Sequence, residues 1–447
     1  MIYRVLRKII KIALFIFFRK IVVTGRENIP DKGPLIIVAN HPNTLMDPLL
    51  VASLVRQHVG FLGNASIFSN KLLIAIFRYF HVIPVFRKKD VKTGEKPDNR
   101  ASFSKCHEYL AGGNTLLIFP EGDSYYELKL REIKTGTARI ALSFEELNNF
   151  ESNLKIVPVA LDYSDSIQFR SMISITVSPP LSTREYKESY LKNEYDCVKQ
   201  LSEDIRKELA KNVIETSGKE QEMFLINAHR FYTTFHEPDA DLYQNPRRSL
   251  ELRKQLSNAL HYIQQNASDL YLDTQTSINS FFNELKTTGL TVGFFTDKFL
   301  NKNKLLVIIG YLLTFTILMP LYLFGLVANY LPYILPAKIF EALHIDIEYK
   351  TSVALVSGLI TFPLFYSIEI VLFRYFISPE TWHSLLFLLL LPVTGYITMF
   401  YWTEIKRFLR VIRFYLFLNS EKKTELLTLR DEILRKMETA RKSLEIE

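Results

Sequence analysis

The chain has 447 residues, 48% of them hydrophobic and 23% charged, with a formal net charge of +8. That length exceeds one typical domain, so a single core is not expected to account for it, and the apolar residues must be segregated along the chain. The positive charge suits an anionic membrane surface or phosphorylated substrates, whereas the absence of zinc-finger spacing or an RNA-recognition signature argues against nucleic acid; two cysteines, Cys106 and Cys197, are too few for a disulfide framework or a metal site.

Residues 1–20 interleave Arg4, Arg7, Lys8, Lys11, Arg19 and Lys20 with the apolar run IALFIFF. The run lacks a small-residue cleavage site and is shorter than the ~20 apolar residues of a bilayer span, so it reads as a membrane-surface helix with snorkelling cations. From Ile21 to about Leu181 the apolar runs IVVTG, LIIVA, the stretch around Gly60 to Gly63, VIPVF, TLLIF, IVPVAL and SMISITV alternate with helical patterns. Near-continuous apolar strands separated by helices predict an α/β fold, a mainly parallel sheet flanked by helices, with loops converging at the strand ends.

LIIVA (35–39) delivers His41 to an edge of this sheet, and six positions later Asp47 and Pro48 open the helical run LLVASLV. Asp as N-cap with Pro at the first helical position is a favourable start. The connecting loop can fold His41 onto Asp47, and a carboxylate on one imidazole nitrogen leaves the other free to take a proton from a hydroxyl. Taken alone, a histidine after a strand and an Asp-Pro pair are a loop residue and a cap.

Asp98 or Asn99 is expected to cap a helix running to Leu110, ended by Gly112 and Gly113, with Cys106 packed inside it. No GxGxxG or GxxxxGK[ST] loop is present, so no nucleotide site is implied. Residues from about 190 to 290 read as helices with charged faces, a linking region without chemistry-bearing spacing. The apolar segments 305–336, 352–373 (containing Glu369) and 382–402 are each long enough to cross a bilayer. Lys298, Lys302 and Lys304 precede the first and Lys406, Arg407, Arg410 and Arg413 follow the third, which places both ends on the cytoplasmic side. Three crossings cannot do that; the first segment, at about 48 Å if helical and interrupted by Pro320 and Gly325, is therefore expected to be broken or hairpin-like. The tail from Glu421 reads as a charged, solvated helix.

Beside His41 and Asp47 stand three further elements in order: VIPVFR ending at Arg87, FPEGDS from Phe119 to Ser124, and IVPVAL from Ile156 to Leu161. Together they resemble the glycerolipid acyltransferase family, with its HxxxxD motif, strand-end arginine, FPEG followed by serine, and VPV strand. The resemblance covers roughly residues 20–215. Five residues, not four, separate His41 from Asp47; this spacing, the Lys134 to Gly136 pattern and the apolar tail are more similar to the branch containing fungal glycerol-3-phosphate and dihydroxyacetone-phosphate acyltransferases. With Asp47 at a helix start, the extra residue lengthens a loop and leaves the dyad intact.

The resemblance implies a membrane-bound O-acyltransferase of phospholipid biosynthesis. It would move an acyl group from acyl-CoA or acyl carrier protein to sn-glycerol-3-phosphate or dihydroxyacetone phosphate, with lysophosphatidate as the alternative acceptor and a non-catalytic lipid-binding scaffold as the alternative of another class. His41 would be the general base and Asp47 its stabiliser; Arg87, Glu121, Gly122, Ser124 and Lys134 would bind substrate, with Arg131 a weaker candidate. An activated thioester demands neither metal nor cofactor, and the missing GxSxG elbow argues against a hydrolase. The expected organisation is a surface helix (1–20), a catalytic domain (21–215), a helical linking region (216–300), a transmembrane region (301–415) and a charged C-terminal helix (416–447). The catalytic domain would face the cytoplasm, on the cytoplasmic membrane of a bacterium or the endoplasmic reticulum of a eukaryote, with membrane lipids as partners.

Overall fold

The computed structural model describes residues 2–65, 71–86, 99–236 and 245–445. The chain divides into two compact units, the first comprising Met1–Ser217 with two later pieces, Gln244–Leu250 and Asp346–Ser352, and the second Gly218–Tyr243, Glu251–Ile345 and Val353–Glu447.

In the first unit the elements are α1 (Ile2–Phe17), β1 (Lys20–Thr24), β2 (Leu35–Ala39), α2 (Met46–Leu54), β3 (Val59–Asn64), α3 (Lys71–Tyr79), β4 (Val82–Val85), α4 (Arg100–Ala111), β5 (Thr115–Ile118), α5 (Gly136–Leu147), β6 (Lys155–Tyr163), β7 (Met172–Val177), β8 (Leu181–Ser182), α6 (Lys187–Lys192) and α7 (Glu194–Ala210). All seven expected strands form, and the short β8 is added. They make one sheet in the order β1-β7-β6-β2-β5-β3-β4, with β8 also on β6. Pairing is parallel except where β6 meets β7 and β8.

The uninterrupted apolar run of β2 has its physical reason in this order: the strand is central, covered on both faces, and every one of its residues is buried. Pro158 sits inside β6, where a proline would ordinarily break the ladder. It falls between the residues paired with β8 (155–156) and those paired with β7 (159–163), at the handover from one partner to the other. Helices α5 and α7 close the core over the sheet, with Ile140, Phe144, Leu201 and Ile205 against Ile36, Leu116 and Ile156. The amphipathic pattern of α7, which suggested a linking helix, thus belongs to the α/β unit.

In α4 the Asn99 side chain does not cap the helix; its carboxamide accepts from Phe86 N and donates to Phe86 O, both at 2.9 Å, pinning the end of β4. Asp98 lies outside the described residues. Cys106 is buried, and burial pushes its thiol up to about 12, so it packs and does not react. Along α1, Ala13, Leu14 and Phe17 are buried while Val5, Ile9, Ile12 and Ile16, at spacings of four, three and four, leave an exposed apolar stripe flanked by Arg7, Lys8 and Lys11.

The second unit is helical: α8 (Lys219–Phe235), α9 (Pro246–Asn266, from Glu251 on), α10 (Ser268–Thr288), α11 (Asp297–Leu300), α12 (Lys304–Leu343), α13 (Lys350–Phe376, from Val353 on), α14 (Thr381–Ile412) and α15 (Ser420–Glu445). Residues that read as a linking region and a solvated tail share one core, in which Phe224, Phe231, Phe281 and Phe295 pack with Phe414, Leu426 and Ile433. The charged surface of α15 covers only its outer face.

Helices α12, α13 and α14 are long and apolar enough to cross a membrane. The expected break in the first of them is not there: α12 is one continuous helix of 40 residues with Pro320, Pro332 and Pro336 inside it. At about 60 Å it exceeds the ~30 Å hydrocarbon core of a bilayer. Gly325 serves packing and not interruption. A Cβ there would overlap the backbone carbonyl of Thr394 and the hydroxyl of Thr398, and four residues on, buried Asn329 donates from Nδ2 to Gly325 O (3.0 Å) and Leu391 O (3.2 Å). A small residue thus lets the α12 and α14 backbones approach, with a polar side chain bonding across. Gly325→Leu is expected to destabilise the second unit by about 1–3 kcal/mol through overpacking, read as a lowered thermal midpoint in detergent; an unchanged midpoint would contradict this packing.

Candidate active site

Because β2 and β5 are parallel neighbours, the loops that leave their C-terminal ends lie side by side. The first carries His41 and the second Phe119 to Ser124. Asn40 fixes the point of departure from β2. Its carboxamide donates to Leu161 O at 2.9 Å and accepts from Leu161 N at 2.7 Å, continuing the ladder to β6 with a side chain.

His41 Nδ1 lies 2.8 Å from Asp47 Oδ2. An ionised carboxylate only accepts, so Nδ1 carries the proton and Nε2 is left with its lone pair. The side chain of Asp47 is wholly buried while that of His41 keeps 16% exposure, and Nε2 has no hydrogen bond to the protein among the described residues. The imidazole is stacked on Phe119, ring centroids 3.9 Å apart at 16°, so its plane is set as well as its hydrogen bond.

Asp47 lies in the first turn of α2 and is not its cap, a position held by Leu45. Its carboxylate instead reaches back over the loop: Oδ2 also accepts from Asn43 N at 2.7 Å, and Oδ1 accepts from the hydroxyl of Tyr163 at the end of β6. Burial pushes the Asp47 carboxyl above its ordinary value, opposed by the donors from His41, Tyr163 and Asn43.

Glu121 is almost wholly buried, and its two carboxylate oxygens accept from the backbone N–H groups of His41 (2.9 Å) and Arg131 (2.9 Å). Burial pushes its carboxyl upward too, with those two amides pulling the other way. Its visible work is to tie the His41 loop to the loop before α5. Gly122 turns the chain at φ +81°, in the left-handed region that favours glycine, and a Cβ there would overlap the Lys134 ammonium, which lies against this turn. Lys134 N donates to Pro120 O at 2.9 Å. Ser124 Oγ is buried without a hydrogen-bond partner among the described residues.

An open cavity of about 650 Å³ begins at Glu121 and is lined by Tyr125, Lys129, Arg131, Lys134, Glu203 and Arg206 among others. The Arg131 guanidinium lies 4.3 Å over the Tyr125 ring and pairs with Glu127. Arg206, on α7, pairs with Glu215 at 2.7 Å. The structure thus brings His41, Asp47, Glu121, Gly122 and Lys134 together. Arg87 lies outside the described residues. Tyr163, Lys129 and Arg206 escaped the reading of the sequence: a tyrosine ending an apolar strand, a lysine in an irregular loop and an arginine on an amphipathic helix carry no motif of their own.

Residues 20–162 match the family model Acyltransferase. Glycerol-3-phosphate O-acyltransferase 1 of Saccharomyces cerevisiae is 31% identical over 146 residues, 32% of this chain and 19% of the yeast protein. An uncharacterised acyltransferase of Schizosaccharomyces pombe is 23% identical over 314 residues, 51% of this chain and 46% of that one. The 1-acyl-sn-glycerol-3-phosphate acyltransferase of Borreliella burgdorferi is 28% identical over 168 residues, 38% of this chain and 61% of that one. The matches span less than two thirds of the length of each of these relatives.

Proposed function

We propose that the chain is a membrane-bound O-acyltransferase of phospholipid synthesis. It would move an acyl group from acyl-CoA or acyl carrier protein to sn-glycerol-3-phosphate or dihydroxyacetone phosphate. The observation that carries this reading is the buried Asp47 holding His41 through Nδ1, which leaves Nε2 without a hydrogen bond among the described residues.

In this reading the acceptor hydroxyl gives its proton to His41 Nε2 as its oxygen attacks the thioester carbon. The C–S bond then breaks, and the leaving thiolate takes the proton back from the imidazolium. Asp47 offsets the charge of the imidazolium while it exists. Lys134, Arg131, Lys129 and Arg206, interspersed with Glu121, Glu132 and Glu203, supply the cations a phosphorylated acceptor or donor requires, and the family resemblance assigns Arg87 to the same task. Gly122 allows close backbone approach, and Ser124 offers a hydroxyl with bonding capacity to spare.

The apolar stripe of α1, flanked by cations, fits a membrane surface, and α12, α13 and α14 fit the bilayer itself. Anchoring would keep donor, acceptor and acylated product at one interface.

Lysophosphatidate is the alternative acceptor, favoured by the name of the Borreliella relative as the yeast relative's favours glycerol-3-phosphate. A panel of the three acceptors against acyl-CoA and acyl carrier protein donors, on membranes containing the protein, separates them. Turnover of glycerol-3-phosphate or dihydroxyacetone phosphate is expected. Turnover of lysophosphatidate alone would transfer the assignment to the second acylation, and no turnover with any pair would leave the scaffold reading.

A further inference from the structure

The loop between His41 and Asp47 is gripped by a piece of chain that lies about three hundred residues away in sequence. Asp346–Ser352, the connection leaving α12 together with the first residues of α13, belongs to the first compact unit. Thr351 presents its hydroxyl to the Asn43 carboxamide, 2.7 Å from Nδ2 and 3.0 Å from Oδ1, and lies 3.2 Å from Ser166 O. Ser352 Oγ is 2.7 Å from the Thr44 hydroxyl and accepts from Leu45 N at 3.0 Å, and the Thr44 hydroxyl donates to Glu348 O at 3.2 Å. Glu348 Oε1 accepts from Tyr126 N at 3.2 Å, next to Tyr125, whose N–H donates to His41 O at 3.2 Å. One short segment therefore bonds both loops of the site.

These contacts bear on the dyad through Asn43, held by Thr351, and through its neighbours Thr44 and Leu45, held by Ser352. Asn43 N donates to Asp47 Oδ2, the same oxygen that holds His41 Nδ1, so the placement of Asn43 decides how that oxygen is shared. Asn43, Thr351 and Ser352 are all buried. In a desolvated site a lost partner is not replaced by bulk water, and the loop must shift to recover the bond. Five residues between histidine and aspartate make a loop with slack of its own, and its middle three, Asn43, Thr44 and Leu45, are the ones held.

We propose that Thr351 and Ser352 are positioning residues for acyl transfer: they hold the His41–Asp47 loop in register, so that the catalytic unit is completed by the connection between two membrane-type helices. The proposal rests on His41 being the base, and the test keeps the two apart.

Full-length protein in membranes is compared with His41→Ala, Thr351→Val, Thr351→Ser and Ser352→Ala in initial-rate assays, each preparation being checked by its thermal midpoint. Thr351→Val, which keeps shape and removes the hydroxyl, is expected to lower kcat about ten- to a hundredfold, the scale on which small misplacements act. The acyl-donor KM should stay within about twofold of wild type, and Thr351→Ser should restore kcat to within about twofold, which a purely structural role would not require. If Thr351→Val fails to fold, Ser352→Ala, which cuts the Thr44 and Leu45 bonds, is read in the same way, and Thr351→Ser must still match wild type. Wild-type kcat in folded Thr351→Val or Ser352→Ala, beside an inactive His41→Ala, would overturn the positioning role alone. A fully active His41→Ala would overturn the base reading on which it stands.

Discussion

His41→Ala is expected to lower kcat by roughly 10²- to 10⁴-fold, the usual contribution of a positioned general base, while the protein stays folded. The size follows from what else the site offers the acceptor's proton. Glu121 is buried with both oxygens accepting from backbone amides, and Asp47 is buried behind the imidazole with donors on both of its oxygens. Neither can take over at the position of Nε2. Folding should survive, because Asp47 keeps the Tyr163 hydroxyl and Asn43 N when the imidazole is removed. The measurement is a steady-state rate with the preferred acceptor alongside a thermal melt. A folded variant turning over at near wild-type rate would show that the proton leaves by another route.

Much of this site could be read from the chain before any coordinates, and what could not has identifiable physical causes. The run LIIVA announced a doubly covered strand because burial on both faces removes the need for polar alternation, and β2 is central. The pairing of His41 with Asp47 followed from a strand end and a helix start a few residues apart. Assigning Asp47 as the cap was the natural reading of Asp-Pro, yet its carboxylate is drawn away from the helix N–H groups by three donors, one of them the Tyr163 hydroxyl 116 positions later. Such long-range bonds leave no periodicity. The same holds for Thr351 and Ser352, which read as the start of an apolar helix.

Two further departures come from tertiary packing overriding local signals. Pro320 and Gly325 suggested a break in α12. The helix stays continuous because Gly325 lies where α14 approaches and Asn329 bonds across the contact. The charged helix α15 looked solvated by composition, but Leu426 and Ile433 are fully buried in the helical unit. A stripe of a few apolar residues in a charge-rich sequence marks one buried face, and only the partner helix reveals it.

Asp47→Asn separates the chemistry of the dyad from the pH-dependent part of its effect on stability, and the two should move in opposite directions. An asparagine has one acceptor oxygen and one NH₂ group. If the oxygen keeps the Tyr163 hydroxyl, the NH₂ takes the place of Oδ2: it leaves Asn43 N without its acceptor and faces His41 Nδ1, which must then accept, so that the imidazole proton moves to Nε2. The nitrogen that should receive the acceptor's proton is then occupied, so kcat is expected to fall by roughly 10²- to 10⁴-fold, with little change in the acceptor KM. The lost Asn43 N bond lowers stability alike at every pH, whereas the pH-dependent part of stability should move the other way. Burial holds the Asp47 carboxyl above its ordinary value of 3.8, so the folded protein binds this proton more tightly than the unfolded chain does. The stability this group contributes is full below 3.8 and is lost as pH rises through the raised folded value. At neutral pH the ionised carboxylate is therefore a net cost that the neutral amide does not carry. The thermal midpoint of Asp47→Asn relative to wild type should rise with pH across that window and level off above it; Glu121 adds in the same direction, because the Asp47 charge that helps raise its carboxyl is absent from the variant. A variant midpoint that instead falls relative to wild type as pH rises would mean that the hydrogen bonds to Asp47 outweigh its burial, and that its carboxylate is stabilised by the fold.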